Sequence, residues 1–235
     1  MIETLRQWID SSNYIVFFGG AGVSTDSGIA DFRGENGLYY QEYDIDPARI
    51  LSLSFFEKNP EEFFYFYREK MMPVGYKPNV THYKLAQMEQ EGKIKAIITQ
   101  NIDGLHQLAG SKNVLELHGT MRSNLCLECG REYSAEYVYN SVGIPRCVCT
   151  GILKPEVVLY EERLNPDVMY RAMSAIYDAD LLIVGGTSLS VRPAADMLDY
   201  YKGSKLVVIN RDPTPVDDRA DLVFRCGLGE VFSQL

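Results

Sequence analysis

No apolar run in the 235-residue chain approaches the roughly 20 residues that a membrane-spanning helix needs. The N-terminal stretch also lacks the basic-then-apolar order of a secretory signal, so the expected compartment is the cytoplasm and no membrane partner is expected. Positive charge is in deficit: 23 Lys and Arg against 32 Asp and Glu give a formal net charge of −9. That balance argues against direct binding of nucleic acid and weakly favours basic protein segments as partners. Histidine is scarce as well, with three residues, His82, His106 and His118. Internal repeats and low-complexity stretches are absent, which leaves an ordinary globular composition. With 46% hydrophobic residues the chain can bury a full core as one large domain or as one domain with a satellite.

Cysteine is present but unevenly placed. Cys126, Cys129, Cys147 and Cys149 fall within 24 residues, while Cys226 stands far away. A disulfide framework suits small secreted chains, so metal binding is the better reading of the cluster. Cys126-Leu-Glu-Cys129 is a C-x-x-C knuckle followed by Gly130, and Cys147-Val-Cys149 is the tighter C-x-C form. Four thiolates suit one tetrahedral zinc, and a site with no vacant ligand position is structural. A redox pair or simple buried thiols are the alternatives. Cys226 reads as a buried or site-lining thiol with no part in the zinc site.

The remaining pattern is strand, turn, helix. Residues 14 to 18 (Tyr-Ile-Val-Phe-Phe) form a continuous β-prone run, as a strand covered on both faces of a parallel sheet would. The run enters Gly19-Gly20-Ala21-Gly22-Val23-Ser24, a layout that ahead of a helix brings backbone amides to a pyrophosphate. Such glycines also make ordinary turns. Ile94 to Thr99, Leu181 to Val184 and Leu206 to Ile209 are further strands, with helices expected over Pro60 to Met71 and Pro166 to Tyr177. This alternation implies an α/β fold, a Rossmann-like parallel sheet domain with a second, smaller zinc-binding module. The expected division is 1–118 and 156–235 for the sheet domain with its candidate nucleotide-binding turn, with a small zinc module at 119–155 inserted in it. Gly19 to Ser24, Thr99 to Asp103, Gly185 to Ser188 and Asn210 to Asp212 should converge beyond the carboxyl ends of the strands.

These blocks carry a specific resemblance. Gly20-Ala-Gly-Val-Ser24 through Ser27-Gly-Ile-Ala-Asp-Phe-Arg-Gly34 resembles the sirtuin signature G-A-G-x-S-x-x-S-G-I-P-D-F-R-G, with Ala30 where proline is usual. Thr99-Gln-Asn-Ile-Asp-Gly-Leu-His106 is similar to T-Q-N-I-D-x-L-H, His118-Gly119 to the family's H-G, and Gly186 to Ala194 to G-T-S-L-x-V-x-P-A. The chain is identified on these motifs as a member of the sirtuin family, a bacterial-type single catalytic core. Membership implies NAD-dependent removal of acyl groups, acetyl first, from protein lysines. In that chemistry the acyl oxygen attacks C1′ of the nicotinamide ribose, nicotinamide leaves, and a ribose hydroxyl then attacks the imidate carbon.

The resemblance also implies roles. His118 is the general base, and imidazole is the side chain whose ordinary pKa suits that work near neutral pH. His106 is expected to be structural and His82 a helix-face residue. Asp103 and the backbone of Ile102 would recognise the nicotinamide amide, with Phe32 over the ring and Arg33 on phosphate or ribose oxygens. Asn101 and Gln100 would hold the ribose and water near C1′. Gly20, Ala21 and Thr25 would lie against the cofactor, Gly186, Thr187 and Ser188 on the pyrophosphate side, and Asn210, Asp212 and Cys226 toward the adenosine. An acylated peptide would pair as a strand between Val157 to Glu162 and Ser190 to Arg192, touching Val157, Tyr160 and Val191. Tyr160 and Glu161 depart there from the commoner V-V-x-F-G-E, and Glu161 and Glu162 favour basic flanks around the target lysine. Tyr65 and Arg68 have the Y-x-x-R spacing of members that remove succinyl or malonyl groups, although packing and a helix-end charge are the preferred explanation. Mono-ADP-ribosyl transfer and a non-catalytic zinc-ribbon docking module are the rival functions.

Overall fold

A computed structural model of the chain describes residues 1–31, 45–72 and 75–235. Nine strands run through the described residues: β1 (Ile15–Gly19), β2 (Ile94–Thr99), β3 (Val114–Glu116), β4 (Gly119–Cys126), β5 (Glu132–Ser134), β6 (Leu153–Val157), β7 (Leu181–Gly185), β8 (Leu206–Ile209) and β9 (Leu222–Phe224). Six of them form one parallel sheet in the order β3-β2-β1-β7-β8-β9. The chain leaves β1 toward β2 and β3 on one side and returns for β7 to β9 on the other. The switch point therefore lies at β1, where ligands of open α/β sheets bind beyond the strand ends. Gly19 pairs with both Thr99 and Gly185, so the three central strands end level and release their loops into one crevice.

Every residue of β1 and β7 is buried, which is why these strands read as unbroken apolar runs. Side chains alternate between two cores. Val16, Phe18, Ile98 and Val184 pack with Ala172 and Ile176 of the helix Pro166–Asp178. Ile15, Phe17, Ile97 and Ile183 pack on the other face with Leu5, Leu85 and Phe232. The four expected strands are thus observed to within one residue, and the short β3 and β9 extend the sheet at its edges. The expected helix from Pro60 to Met71 is an α-helix over Pro60–Phe66 that widens into a π turn over Tyr67–Met71. After the glycine-rich turn the structure has single 3-10 turns at Ala21–Val23 and Thr25–Ser27 in place of a continuous helix start, and Gly28 at φ 89° ends the second. No helix among the described residues is long and apolar enough to cross a membrane.

The small module is an antiparallel sheet in the order β5-β4-β6 with the helix Ala135–Asn140. Its core is shared. Met121, Val138, Leu153 and Val157 pack against Phe55, Phe56, Phe63, Phe64 and Tyr67 from the helices between 53 and 71. We therefore propose a second packing unit of 45–72 together with 119–157, in place of 119–155 alone: β6 runs past residue 155, and the aromatic helices bury their inward stripe here and not on the large sheet.

Candidate functional site

Glycine sets how closely the loops beyond the sheet approach one another. The Gly22 amide donates to the Gly186 carbonyl at 2.8 Å, and a Cβ on Gly22 would stand 2.7 Å from the Gly186 Cα. Gly186 itself has φ 61°, and a Cβ there would meet the Val23 nitrogen at 2.5 Å. The β1 and β7 loops touch backbone to backbone as a result, and their amides border the crevice.

The β2 loop is fastened to both. The Gln100 side chain donates to the Thr187 hydroxyl at 3.0 Å, and the Asn101 side chain donates to the Ser24 hydroxyl at 3.1 Å. Ser24 in turn donates to the Asp103 carboxylate at 2.6 Å, whose other oxygen accepts the Leu105 amide at 2.9 Å. Burial nevertheless raises the Asp103 pKa above the usual carboxylate value, because desolvation outweighs these hydrogen bonds. Across the crevice Asn210 accepts the Thr187 amide at 3.0 Å and donates to the Asp212 carbonyl at 2.8 Å. The Ser188 hydroxyl lies 2.7 Å from that of Ser190.

His118 sits between β3 and β4 at the base of the crevice. Its Nδ1 lies 2.9 Å from the Gln100 carbonyl oxygen. A carbonyl can only accept, so the neutral ring carries its proton on Nδ1 and keeps the Nε2 lone pair available. Burial lowers the pKa, partly offset by that carbonyl. The next residue must be glycine: Gly119 has φ 74°, and a Cβ there would fall 2.0 Å from the Glu156 carbonyl oxygen. Gly119 lets β4 turn against β6 while the His118 carbonyl accepts the Val158 amide at 2.9 Å.

One cavity of about 840 Å³ occupies the crevice and gathers these groups. Gly20, Ala21, Thr25, Gln100, Asn101, Ile102, Asp103 and His118 line one part of it. Gly186, Thr187, Ser188, Asn210, Asp212 and the half-buried Cys226 line another, and Val157, Tyr160 and Val191 border its mouth toward the small module. Phe32 and Arg33 lie outside the described residues.

The four clustered cysteines meet at the tip of the small module. All their sulfurs lie within 4.8 Å of one another, with Cys126–Cys149 at 3.4 Å, Cys129–Cys149 at 3.5 Å and Cys129–Cys147 at 3.6 Å. Thiolates about 2.3 Å from a tetrahedral zinc stand about 3.8 Å apart, so the set fits one closed, structural zinc site. Gly130, at φ 69°, makes the turn that closes the first knuckle. In the second, the Tyr133 hydroxyl donates to the Cys147 sulfur at 3.1 Å and accepts the Val148 amide at 3.1 Å.

Comparison with known proteins agrees with this arrangement. The model of the Sir2 family matches residues 20–193. An NAD-dependent protein deacetylase of Clostridium acetobutylicum is 53% identical over 234 residues, covering 98% of this chain and 96% of that protein. The chain belongs to the Sir2 family. A solved Sir2 structure with a deacetylated p53 peptide and 3′-O-acetyl-ADP-ribose superposes with a TM-score of 0.92 at 38% identity, covering 99% of this chain and 96% of the other. A Sir2 complex with p53 peptide and NAD gives 0.88 at 37% identity, covering 100% and 96%.

One sequence reading changes in this Sir2 chain. Tyr65 is 69% exposed and neither it nor Arg68 lines the cavity. Phe63, Phe64, Phe66 and Tyr67 take the inward face of their helix, so Tyr65 is turned to solvent. Arg68 packs over Phe64 and donates to the Gly143 carbonyl at 2.8 Å, tying the helix to the zinc module. The cavity is reached from this helix by Tyr67, Lys70 and Met71. His82 lies, as expected, on a helix face, and that face is the buried one of Val80–Gln90: its Nδ1 accepts the Asn79 amide at 3.3 Å, and its ring lies 4.8 Å from that of His106. Ser24, 1% exposed and bonded to both Asn101 and Asp103, went unassigned in the sequence. Its signal was a hydroxyl closing the glycine run, five residues beyond β1.

Proposed function

We propose that this Sir2 chain removes acetyl groups from protein lysine side chains at the expense of NAD, yielding nicotinamide, O-acetyl-ADP-ribose and free lysine. The observation that carries the reading is the convergence of His118, Asn101 and Asp103 in one cavity with the two touching glycine loops. When bound, NAD supplies an electrophilic ribose carbon and nicotinamide as its leaving group. The free lone pairs of Asp103 can accept the carboxamide NH₂ beside the Ile102 backbone. Asn101 and Gln100, each anchored at its far side, present their remaining amide atoms to ribose and water. The Thr187 and Ser188 hydroxyls, with the amide of Ala21, suit the pyrophosphate, and Thr25 braces that loop through the Gly22 carbonyl at 3.1 Å. Asn210 and Asp212 suit the adenosine ribose, with Cys226 beside them.

His118 takes a proton at Nε2 from a ribose hydroxyl, so that the hydroxyl can attack the acyl carbon. The low pKa keeps this nitrogen unprotonated at neutral pH, while the Gln100 carbonyl steadies the imidazolium once it forms. An acylated peptide would lie between Val157 to Tyr160 and Val191. The zinc shapes the module that carries the first of these segments and has no vacant position for chemistry. Reduced thiolates of this kind fit the cytoplasm, which we propose as the compartment.

The test is NAD turnover with a panel of acyl-lysine peptides, following nicotinamide and deacylated peptide together. Peptide-dependent release of both in equal amounts, fastest with acetyl-lysine, supports the reading. Nicotinamide release with ADP-ribosylated protein and no free lysine would replace it by transferase activity.

A further inference from the structure

Glu161 has a backbone that a side-chain-bearing residue rarely takes. Its φ is 77°, in the left-handed region that favours glycine. The side chain has a compensating task. Its carboxylate accepts the Ser54 amide and the Ser54 hydroxyl, each at 2.9 Å. Ser54 lies in the first turn of the helix Leu53–Lys58, whose leading amides have no intrahelical acceptor. The neighbouring contacts complete the set: the Leu53 amide donates to the Tyr160 carbonyl at 3.0 Å, and the Phe55 amide to the Ser52 hydroxyl at 3.3 Å. The Tyr160 amide returns a bond to the Leu51 carbonyl at 3.0 Å.

Residues 160 and 161 thus cap a helix that belongs to the aromatic core, while Leu51, Tyr160 and Glu161 all line the cavity. The adjacent Glu162 is committed differently, pairing with Lys154 at 2.9 Å and accepting the Leu159 amide at 2.8 Å. We infer that Glu161 is a positioning residue for the acylated peptide: by clasping the first turn of the helix Leu53–Lys58 it holds the Val157 to Glu161 segment in the extended course on which the peptide is received. The inference rests on the deacetylase reading. A carboxylate at a helix N-terminus is favoured by the helix dipole and makes charge-assisted hydrogen bonds, which offsets the left-handed backbone.

The test is steady-state kinetics of the full chain with two acetyl-lysine peptides, one flanked by Lys and Arg and one by neutral residues. Glu161→Gly accepts the same φ but releases Ser54. It should raise the peptide KM about fivefold for both peptides, while kcat and the KM for NAD stay within about twofold. Glu161→Gln keeps an oxygen for the Ser54 amide and should recover most of the loss. An unchanged peptide KM in Glu161→Gly overturns the inference, as does a Glu161→Gln variant no better than Glu161→Gly. A loss confined to the basic-flanked peptide also overturns it, because Glu161 would then be meeting substrate charge directly. Absence of any peptide-dependent turnover in the wild type sinks the deacetylase reading and the inference with it, whereas normal wild-type turnover with an unmoved KM sinks the inference alone.

Discussion

The large sheet and the small module solve the same packing problem with different means. Every residue of the central strands β1 and β7 is buried between two layers of helices, and each face has its own apolar core. The three strands β5, β4 and β6 have helices from the distant 53–71 segment on their apolar side and four thiols at their tip. Apolar burial is abundant in the first region and redundant from strand to strand. In the second it is thin near the tip, where Leu127 and Val148 are 56% and 72% exposed and a metal has to supply what side chains do not. Regions of the first kind tolerate the loss of a methylene, and regions of the second kind fail when one ligand goes.

The largest effect should follow from Cys149→Ser. Structural zinc contributes on the order of 10 kcal/mol in small zinc modules, and three thiolates hold it far more weakly than four. Elemental analysis should find zinc well below one per chain, with the small module open to proteolysis. Ile183→Val, in the centre of the large sheet, should cost about 1 kcal/mol in a urea titration and leave zinc intact. If Cys149→Ser kept full zinc and full stability, the C-x-C half of the site would be misassigned and the contrast would fail.

A mid-sized effect comes from the buried imidazoles beneath the crevice loops. His82 and His106 are held by burial at pKa values of about 4 and about 3, well below the ordinary 6.5. The unfolded chain therefore binds more protons than the folded one between these values and 6.5, so this contribution is complete above pH 6.5 and is lost as pH falls toward the folded values. Asp103 and Glu116, raised by burial, act in the opposite sense. On the order of 3 kcal/mol should disappear between pH 7.5 and pH 5. Equal urea midpoints at the two pH values would contradict the assignment.

The smallest effect sharpens the picture of the shared aromatic core. Among the described residues the buried Tyr67 hydroxyl has no hydrogen-bond partner, while its ring stacks on Phe63 at 5.6 Å. Tyr67→Phe keeps the stack and removes an unsatisfied group, so it should stabilise the protein by about 1 kcal/mol. A lower melting temperature would mean that the hydroxyl does have a partner.

The same contrast decides what could be read from the sequence. Strands of the large sheet announce themselves, because burial on both faces forces continuous apolar runs such as Ile15 to Phe18. The cysteine cluster and the glycine loop were equally legible, since zinc and close backbone approach each demand one residue type. The second core was not. In Glu61-Glu-Phe-Phe-Tyr-Phe-Tyr-Arg-Glu-Lys70 the aromatics run on without a polar face, so spacing alone cannot say which side turns inward. The likeness of Tyr65 and Arg68 to a Y-x-x-R pair carries no information on that side, and the partner that selects the inward face, the zinc module, is distant in sequence. Ser24 was hidden by a different cause: its partners Asn101 and Asp103 reach it only once β1 and β2 pair.

In the proposed reaction His118 takes its proton at Nε2 while the Gln100 carbonyl keeps the other nitrogen protonated. The direct measurement is the deacetylation rate of His118→Ala across pH beside its affinity for NAD, compared with the wild type. Peptide deacetylation should fall by about 100-fold or more with NAD binding still measurable. The acid limb of the wild-type kcat/KM should lie below pH 6.5, as a base with a lowered pKa requires. Deacetylation by His118→Ala within about tenfold of wild type, or a wild-type acid limb above 6.5, would contradict this role of His118.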